Sequence, residues 1–134
     1  LLDPLGPECY CGRHGCVETI LAGPFLEKFY KDLSNTTLSL SEINKLSEIG
    51  TDPHAVSTIN RLTEQFGRGI ANVINILDPD TIVLGGGVSN VSALYTNGLD
   101  EAAKHVFNHR LETKIVQNRL GDSAGVFGAA MLVV

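Results

Sequence analysis

No run of apolar residues in this 134-residue chain approaches the roughly 18 that a membrane-spanning helix requires, and no secretory leader pattern opens it. A cytoplasmic protein without a membrane role is expected. A basic surface is also missing. Ten Lys and Arg stand against fifteen Asp and Glu, net charge −5, and the cations are scattered from Arg13 to Arg119, so a nucleic-acid surface is not expected. An even cysteine count is lacking too: three cysteines would leave one over in a disulfide framework. Metal-bound or free thiols in a reducing compartment fit better. An initiating methionine is absent, and Leu1 to Gly6 reads as loop. The chain is therefore expected to be part of a longer protein. Catalytic histidine pairings are missing as well, since His54, His105 and His109 have no nucleophile or carboxylate at a catalytic spacing.

What is present is ordinary for one folded domain: 43% hydrophobic and 19% charged residues. A chain of this length buries about two-thirds of its unfolded surface. The unusual stretch is Pro7 to Glu18, where Cys9, Cys11 and Cys16 fall inside eight residues. With Gly12 and Gly15 in the gap, a tight loop can wrap three thiolates around one ion. Zinc suits that donor set, and its structural sites take four ligands. The fourth must come from a distant residue, from solvent or from sequence outside this chain. His14 is a weak candidate, because Gly15 alone separates it from Cys16 and both side chains would have to turn onto one ion; a solvent-facing histidine is the favoured reading.

Downstream, Val17, Ile20 and Leu21 give a short apolar helical face, and Gly23-Pro24 starts a second helix that buries Phe25, Leu26, Phe29 and Tyr30. Ser39-Leu40-Ser41-Glu42 matches a capping box, and Gly50 closes that helix. Asp52-Pro53 begins the next, in which Ala55, Ile59, Leu62, Phe66, Ile70, Val73, Ile74 and Leu77 recur at steps of three and four. Asp78-Pro79 ends it. Thr81 to Leu84 then reads as a strand buried on both faces, ended by three glycines. A helix capped by Ser89 or Asn90 and carried by Val91, Leu94, Tyr95, Leu99, Ala102, Ala103, Val106 and Phe107 follows. Lys114 to Asn118 is a second strand, and a last helix runs from Ser123 to about Leu132. Strand, helix, strand, helix is the order of a parallel α/β unit, and two strands alone call for more from elsewhere.

Three further stretches could carry chemistry. Gly85-Gly86-Gly87, between a strand's carboxyl end and a helix, is either a phosphate-binding turn or a plain tight turn, and it matches neither the Walker spacing nor Gly-x-Gly-x-x-Gly. For Gly121-Asp122-Ser123-Ala124-Gly125, an Asp122 cap with close helix packing through Gly125, Gly128, Ala129 and Ala130 is favoured over ligand contact. Glu18 is either a first-turn charge favoured by the helix dipole or an acceptor for ligand hydroxyls.

Together, Cys9-Tyr10-Cys11-Gly12-Arg13-His14-Gly15-Cys16-Val17-Glu18, Ile76 through Gly87 and Gly121 through Ala130 resemble, in order and spacing, the ROK family of bacterial sugar kinases and related repressors. The fructokinase branch looks nearest, with N-acetylglucosamine kinases close behind. The resemblance implies an α/β fold, most of the helix-rich C-terminal lobe of the actin- and hexokinase-like ATPase fold with a remnant parallel sheet. Residues 1–18 would form the zinc loop, 19–77 a helical segment and 78–134 the nucleotide-side α/β segment. It further implies structural zinc on Cys9, Cys11, Cys16 and an upstream histidine, Glu18 on sugar hydroxyls, and Gly85, Gly86 and Gly87 at the site of ATP with Mg2+. The family's catalytic Asp and first phosphate loop would precede Leu1. The intact protein is then expected to be a homodimeric ATP-dependent hexose kinase, inactive as this piece alone. The alternative is a sugar-responsive repressor with a DNA-binding segment ahead of the same lobe.

Overall fold

A computed structural model describes residues 2–108, 110–121 and 123–133. Helix α1 (Val17–Leu21) and helix α2 (Gly23–Ser34) are separated by Ala22, whose extended backbone makes the bend expected at Gly23-Pro24. Helix α3 (Leu40–Ile49) opens on the full capping box: Ser39 and Glu42 each bond the other's backbone N–H, and Gly50 closes the helix in the left-handed region. The 25-residue α4 (Pro53–Leu77) follows, with the Asp52 carboxylate accepting from the N–H groups of His54 and Ala55.

Helix α4 is the centre of the packing. It touches α1, α2, α3 and α5 (Asn97–Ala103), and its Ile59, Leu62, Phe66 and Ile74 join Leu26, Tyr30 and Ile43 in one core. At Gly67 helix α5 comes so close that a Cβ would lie 2.5 Å from Glu101 Cβ and 2.8 Å from the Ala102 nitrogen. The apolar stripe is right along most of its length but not at Val73 and Leu77, which are exposed.

Strands β1 (Thr81–Leu84) and β2 (Lys114–Gln117) pair in parallel, Thr81 opposite Lys114 and Leu84 opposite Gln117. The expectation that β1 is buried on both faces fails. Ile82, Leu84 and Ile115 pack on the core, whereas Val83 is 60% and Val116 40% exposed, because the sheet is covered on one side only. The single helix expected from Val91 to Phe107 is also corrected. It is two 3-10 turns, Gly87–Asn90 and Ser92–Tyr95, followed by α5, with a non-helical Thr96 between. Within α5, Gly98 lets the Phe66 ring approach closely, 3.0 Å from where a Cβ would be. Neither Ser89 nor Asn90 caps a helix, and Phe107 is exposed.

Helix α6 (Ala124–Ala130) continues into a 3-10 turn, Met131–Val133. Close packing through Gly125 and Gly128 is not found among the described residues; beyond the helix's own backbone, none of them comes within 4 Å of a Cβ at either. Val126, Phe127, Met131 and Leu132 are exposed. The readings of Asp122 as a cap and of His109 as roleless lie outside the described residues.

The Asp52 cap also ties α4 to α2, because the Tyr30 hydroxyl donates to its Oδ2 at 2.6 Å. That bond, chiefly, holds the Asp52 carboxyl below its ordinary range, and the Ser39 hydroxyl does the same for Glu42. A carboxylate depressed in the folded state stabilises fully above its unfolded pKa, about 4, and loses that contribution as pH falls through the folded value. Asp52→Asn in the intact protein is therefore expected to lower the melting temperature at pH 7 and to flatten its decline below pH 4. Melting followed by circular dichroism from pH 7 to pH 3 checks this; an unchanged acid slope would refute it.

Candidate functional site

The cysteine loop is a short hairpin whose arms bridge at Glu8 and His14. Cys9 N–H donates to Arg13 O at 2.8 Å, Gly12 N–H to Cys9 O at 2.9 Å and Gly15 N–H to Pro7 O at 2.9 Å. These bonds fold Cys9 and Cys11 back toward Cys16, the residue before α1. Cys9 is buried, Cys11 exposed and Cys16 between. All three Sγ atoms lie within 4.8 Å of one another, and Cys11 Sγ is 3.5 Å from Cys16 Sγ. Tetrahedral zinc with bonds of about 2.3 Å spaces its thiolates about 3.8 Å apart, so the donor set fits that ion.

Cys11 and Cys16 perturb each other's protonation. Backbone hydrogen bonding at Arg13, with help from Cys16, lowers the Cys11 pKa, while Cys16, hydrogen-bonded to Cys11 and partly desolvated, is pushed up to about 11. His14 is exposed and lies 3.3 Å through Nδ1 from the Gly6 carbonyl oxygen, where the ring nitrogen must donate. Among the described residues no His, Asp or Glu joins the three sulfurs.

Glu18 is exposed in the first turn of α1. Its carboxylate, by charge and by hydrogen bonding, raises the pKa of the Tyr10 phenol, so the tip of the cysteine loop and Glu18 are neighbours. Tyr10 was not singled out from the sequence, where nothing distinguishes it from a surface residue of the loop.

The glycine turn is a separate feature. Gly86 has φ +79°, and among the described residues nothing beyond the chain neighbours lies within 4 Å of a Cβ at Gly85, Gly86 or Gly87, so packing among them does not demand glycine there. Both ends of the turn are fixed. Asn118 donates twice to Leu84 O, from N at 3.0 Å and Nδ2 at 3.1 Å, and Gln117 Nε2 donates to Asn90 Oδ1 at 2.9 Å. Buried Ser89 donates its hydroxyl to Gly86 O at 2.6 Å, and the Tyr95 hydroxyl holds Ser89 O at 2.7 Å. The sequence pointed to the glycines but not to this clamp, which depends on the β1–β2 register.

Beside the turn, a cleft of about 460 Å³ opens between the start of α2, one face of α3 and the segment after β1. Gly87, Val88 and Val91 form one side, Pro24 and Leu40 the other, with Ser41, Asn44 and Asn90 as polar groups. Neither Glu18 nor the cysteines line it.

The sequence model of the ROK family matches residues 1–134. The chain belongs to the ROK family. Among ROK proteins, it is 37% identical over 124 residues to the N-acetyl-D-glucosamine kinase of Photobacterium profundum, covering 92% of this chain and 41% of that one. It superposes with a TM-score of 0.82 and 26% identity on a ROK family glucokinase from Streptomyces griseus, solved in complex with glucose and AMPPNP, over 97% of this chain and 48% of that one. A ROK family transcriptional regulator, a homologue of the Escherichia coli MLC protein, superposes at 0.72 with 28% identity, over 86% and 32% of the two chains. The chain thus spans about two-fifths of the curated kinase it matches. Its helix-rich α/β architecture is that of the ROK hexokinase-like kinases. No helix among the described residues is long and apolar enough to cross a membrane.

Proposed function

We propose that the intact protein is an ATP-dependent hexose kinase that moves the terminal phosphoryl group of ATP to a sugar hydroxyl. The observation that carries this reading is the open glycine turn: three exposed glycines at the carboxyl end of a parallel strand, clamped at both ends, beside a cleft of nucleoside size. Phosphoryl transfer relies on positioning and charge stabilisation, so a pre-set backbone turn is what this chain would contribute, with Mg2+ beside the phosphates. A carboxylate base would lie outside residues 1–134, and this piece alone would transfer nothing. Glu18, held beside Tyr10, would accept from sugar hydroxyls. The cysteine loop would hold structural zinc through Cys9, Cys11 and Cys16 and so fix the start of α1. Residues 1–18, 19–77 and 78–134 would act as metal loop, helical body and nucleotide-side segment of a cytoplasmic homodimer. Fructose has less support than sugars of glucose type, since the kinases compared above are named for N-acetyl-D-glucosamine and glucose.

The test is ADP release by the full-length protein over a hexose panel. Glu18→Gln is expected to raise the sugar KM at least tenfold with the ATP KM little changed, and Gly86→Val to do the reverse. A wild-type protein that releases no ADP with any hexose would overturn the kinase reading. The likeness to the transcriptional regulator favours one second reading, a sugar-responsive repressor. Sugar-dependent DNA binding without phosphoryl transfer would establish that instead.

A further inference from the structure

The three cysteines are held unequally. Cys9 is 5% exposed and engaged at both backbone groups, its N–H donating to Arg13 O and its carbonyl accepting from Gly12 N–H. Cys16 is fixed where α1 begins, and the Thr19 hydroxyl donates to its carbonyl oxygen at 3.0 Å. Cys11 differs from both. It is exposed and stands at the tip of the hairpin, between Tyr10, itself 88% exposed, and Gly12, where among the described residues nothing beyond the chain neighbours lies within 4 Å of a Cβ. Its Sγ nevertheless lies 3.5 Å from that of Cys16. A disulfide bond is about 2.05 Å long, so the two sulfurs stand about 1.5 Å from bonding distance. Gly12 and Gly15, with φ +77° and +63°, already turn the chain between them. Little backbone has to move, and the part that must is the open tip.

Oxidation of a thiol to a disulfide requires access for the oxidant and a second sulfur within reach. Access selects Cys11, and distance gives it Cys16. We propose that Cys11 and Cys16 are a peroxide-sensitive pair whose conversion to a disulfide expels the zinc from this loop. The expulsion rests on the metal reading given above, whereas the pairing does not. The Cys11 sulfur attacks one oxygen of hydrogen peroxide, the O–O bond breaks, and a sulfenic acid and one water result. The Cys16 sulfur then attacks the Cys11 sulfur, the S–O bond breaks, and a second water leaves. Two thiols and one peroxide thus give one disulfide and two waters, the sulfurs losing two electrons and the peroxide oxygens gaining them. Where the thiolates begin on zinc, the two protons come from solvent. Thiolates are the metal's ligands, so the ion is left with Cys9 alone from this loop. Cys16 directly precedes α1 and Glu18 stands in that helix's first turn, so oxidation would reach the carboxylate assigned above to sugar.

The experiment exposes full-length protein to hydrogen peroxide, alkylates the remaining thiols and maps the products by mass spectrometry, while a colorimetric chelator follows free zinc. Trypsin cuts after Arg13, between the two cysteines, so a bridge shows as two peptides held together. The expected result is a bridge from Cys11 to Cys16 with Cys9 alkylated, zinc released in step with it, and both changes reversed by dithiothreitol and added zinc. Cys9→Ser, which should hold no zinc, is expected to form the same bridge. A bridge to Cys9, a bridge between two chains, or a Cys11 that passes to sulfinic acid without pairing would overturn the assignment. A complete bridge with zinc retained would overturn the expulsion. The two readings fail separately. Protein that carries no zinc as purified but forms the bridge loses the metal and keeps the pair, and protein that carries zinc but forms no bridge loses the pair and keeps the metal.

Discussion

Gly15→Ala is expected to unmake the cysteine loop. Gly15 has φ +63°, and a Cβ there would sit 1.4 Å from the carbonyl oxygen of Asp3 and 2.4 Å from its carbonyl carbon. The left-handed backbone costs an L-residue about 1–2 kcal/mol. The collision costs more, because the obstacle is main chain: the Gly15 carbonyl accepts from Leu2 N–H at 2.9 Å, and Gly6 N–H bonds Asp3 O at 2.9 Å, so the facing segments move together or not at all. A total loss on the order of 3 kcal/mol or more follows, with displacement of the adjoining Cys16. Gly12 is the internal control. Its φ is +77°, but among the described residues nothing lies within 4 Å of a Cβ, so Gly12→Ala should cost only the backbone preference. Melting temperature and zinc content of the two full-length variants decide the matter, and near-identical behaviour would sink the argument.

The second large effect is expected from the metal. Full-length protein purified without chelator should carry one zinc per chain, and Cys9→Ser, Cys11→Ser or Cys16→Ser should each abolish stoichiometric binding and lower the melting temperature by on the order of 10 °C. Binding should be strongly pH-dependent. Thiolates are the ligands, and Cys16 holds its proton up to about pH 11 in the metal-free loop, so zinc must displace protons at neutral pH. Each displaced proton makes affinity rise with pH by up to about tenfold per unit. Competition with a colorimetric chelator between pH 6 and pH 8 measures the slope; full-length protein that lacks zinc, or a flat profile, would remove the metal from the account.

How far the sequence carried the structure depended on the range of the interactions. The α3 capping box, the Asp52-Pro53 start of α4 and the stop at Asp78 were legible because caps and proline act within a few residues. The three thiols converge as their spacing and glycines required. Where an outcome depended on a distant neighbour, the sequence misled or was silent. Continuous apolarity in Thr81–Leu84 suggested cover on both faces, but only Ile82 and Leu84 find the core. Residues 91–107 carried a helical pattern, but the chain there is a 3-10 turn, Ser92–Tyr95, and α5, with Thr96 out of helical geometry between them. Tyr30 on Asp52 and Gln117 on Asn90 join residues far apart in the chain, and no local pattern announces them.

The register of β1 and β2 also sets an order of events in folding. Helix α4 packs against α3 just before it in the chain, contacts that close short loops and form early. The strand pair is different: Thr81 must find Lys114 across the two 3-10 turns and α5, and parallel pairing of that kind pays its loop entropy first. The sheet is therefore among the last parts of the molecule to close. Because Gln117 and Asn118 supply the β2 side of the clamp, that part of the glycine turn's support is expected only at that late step, whereas the bonds of Ser89 and Tyr95 are local to the turn.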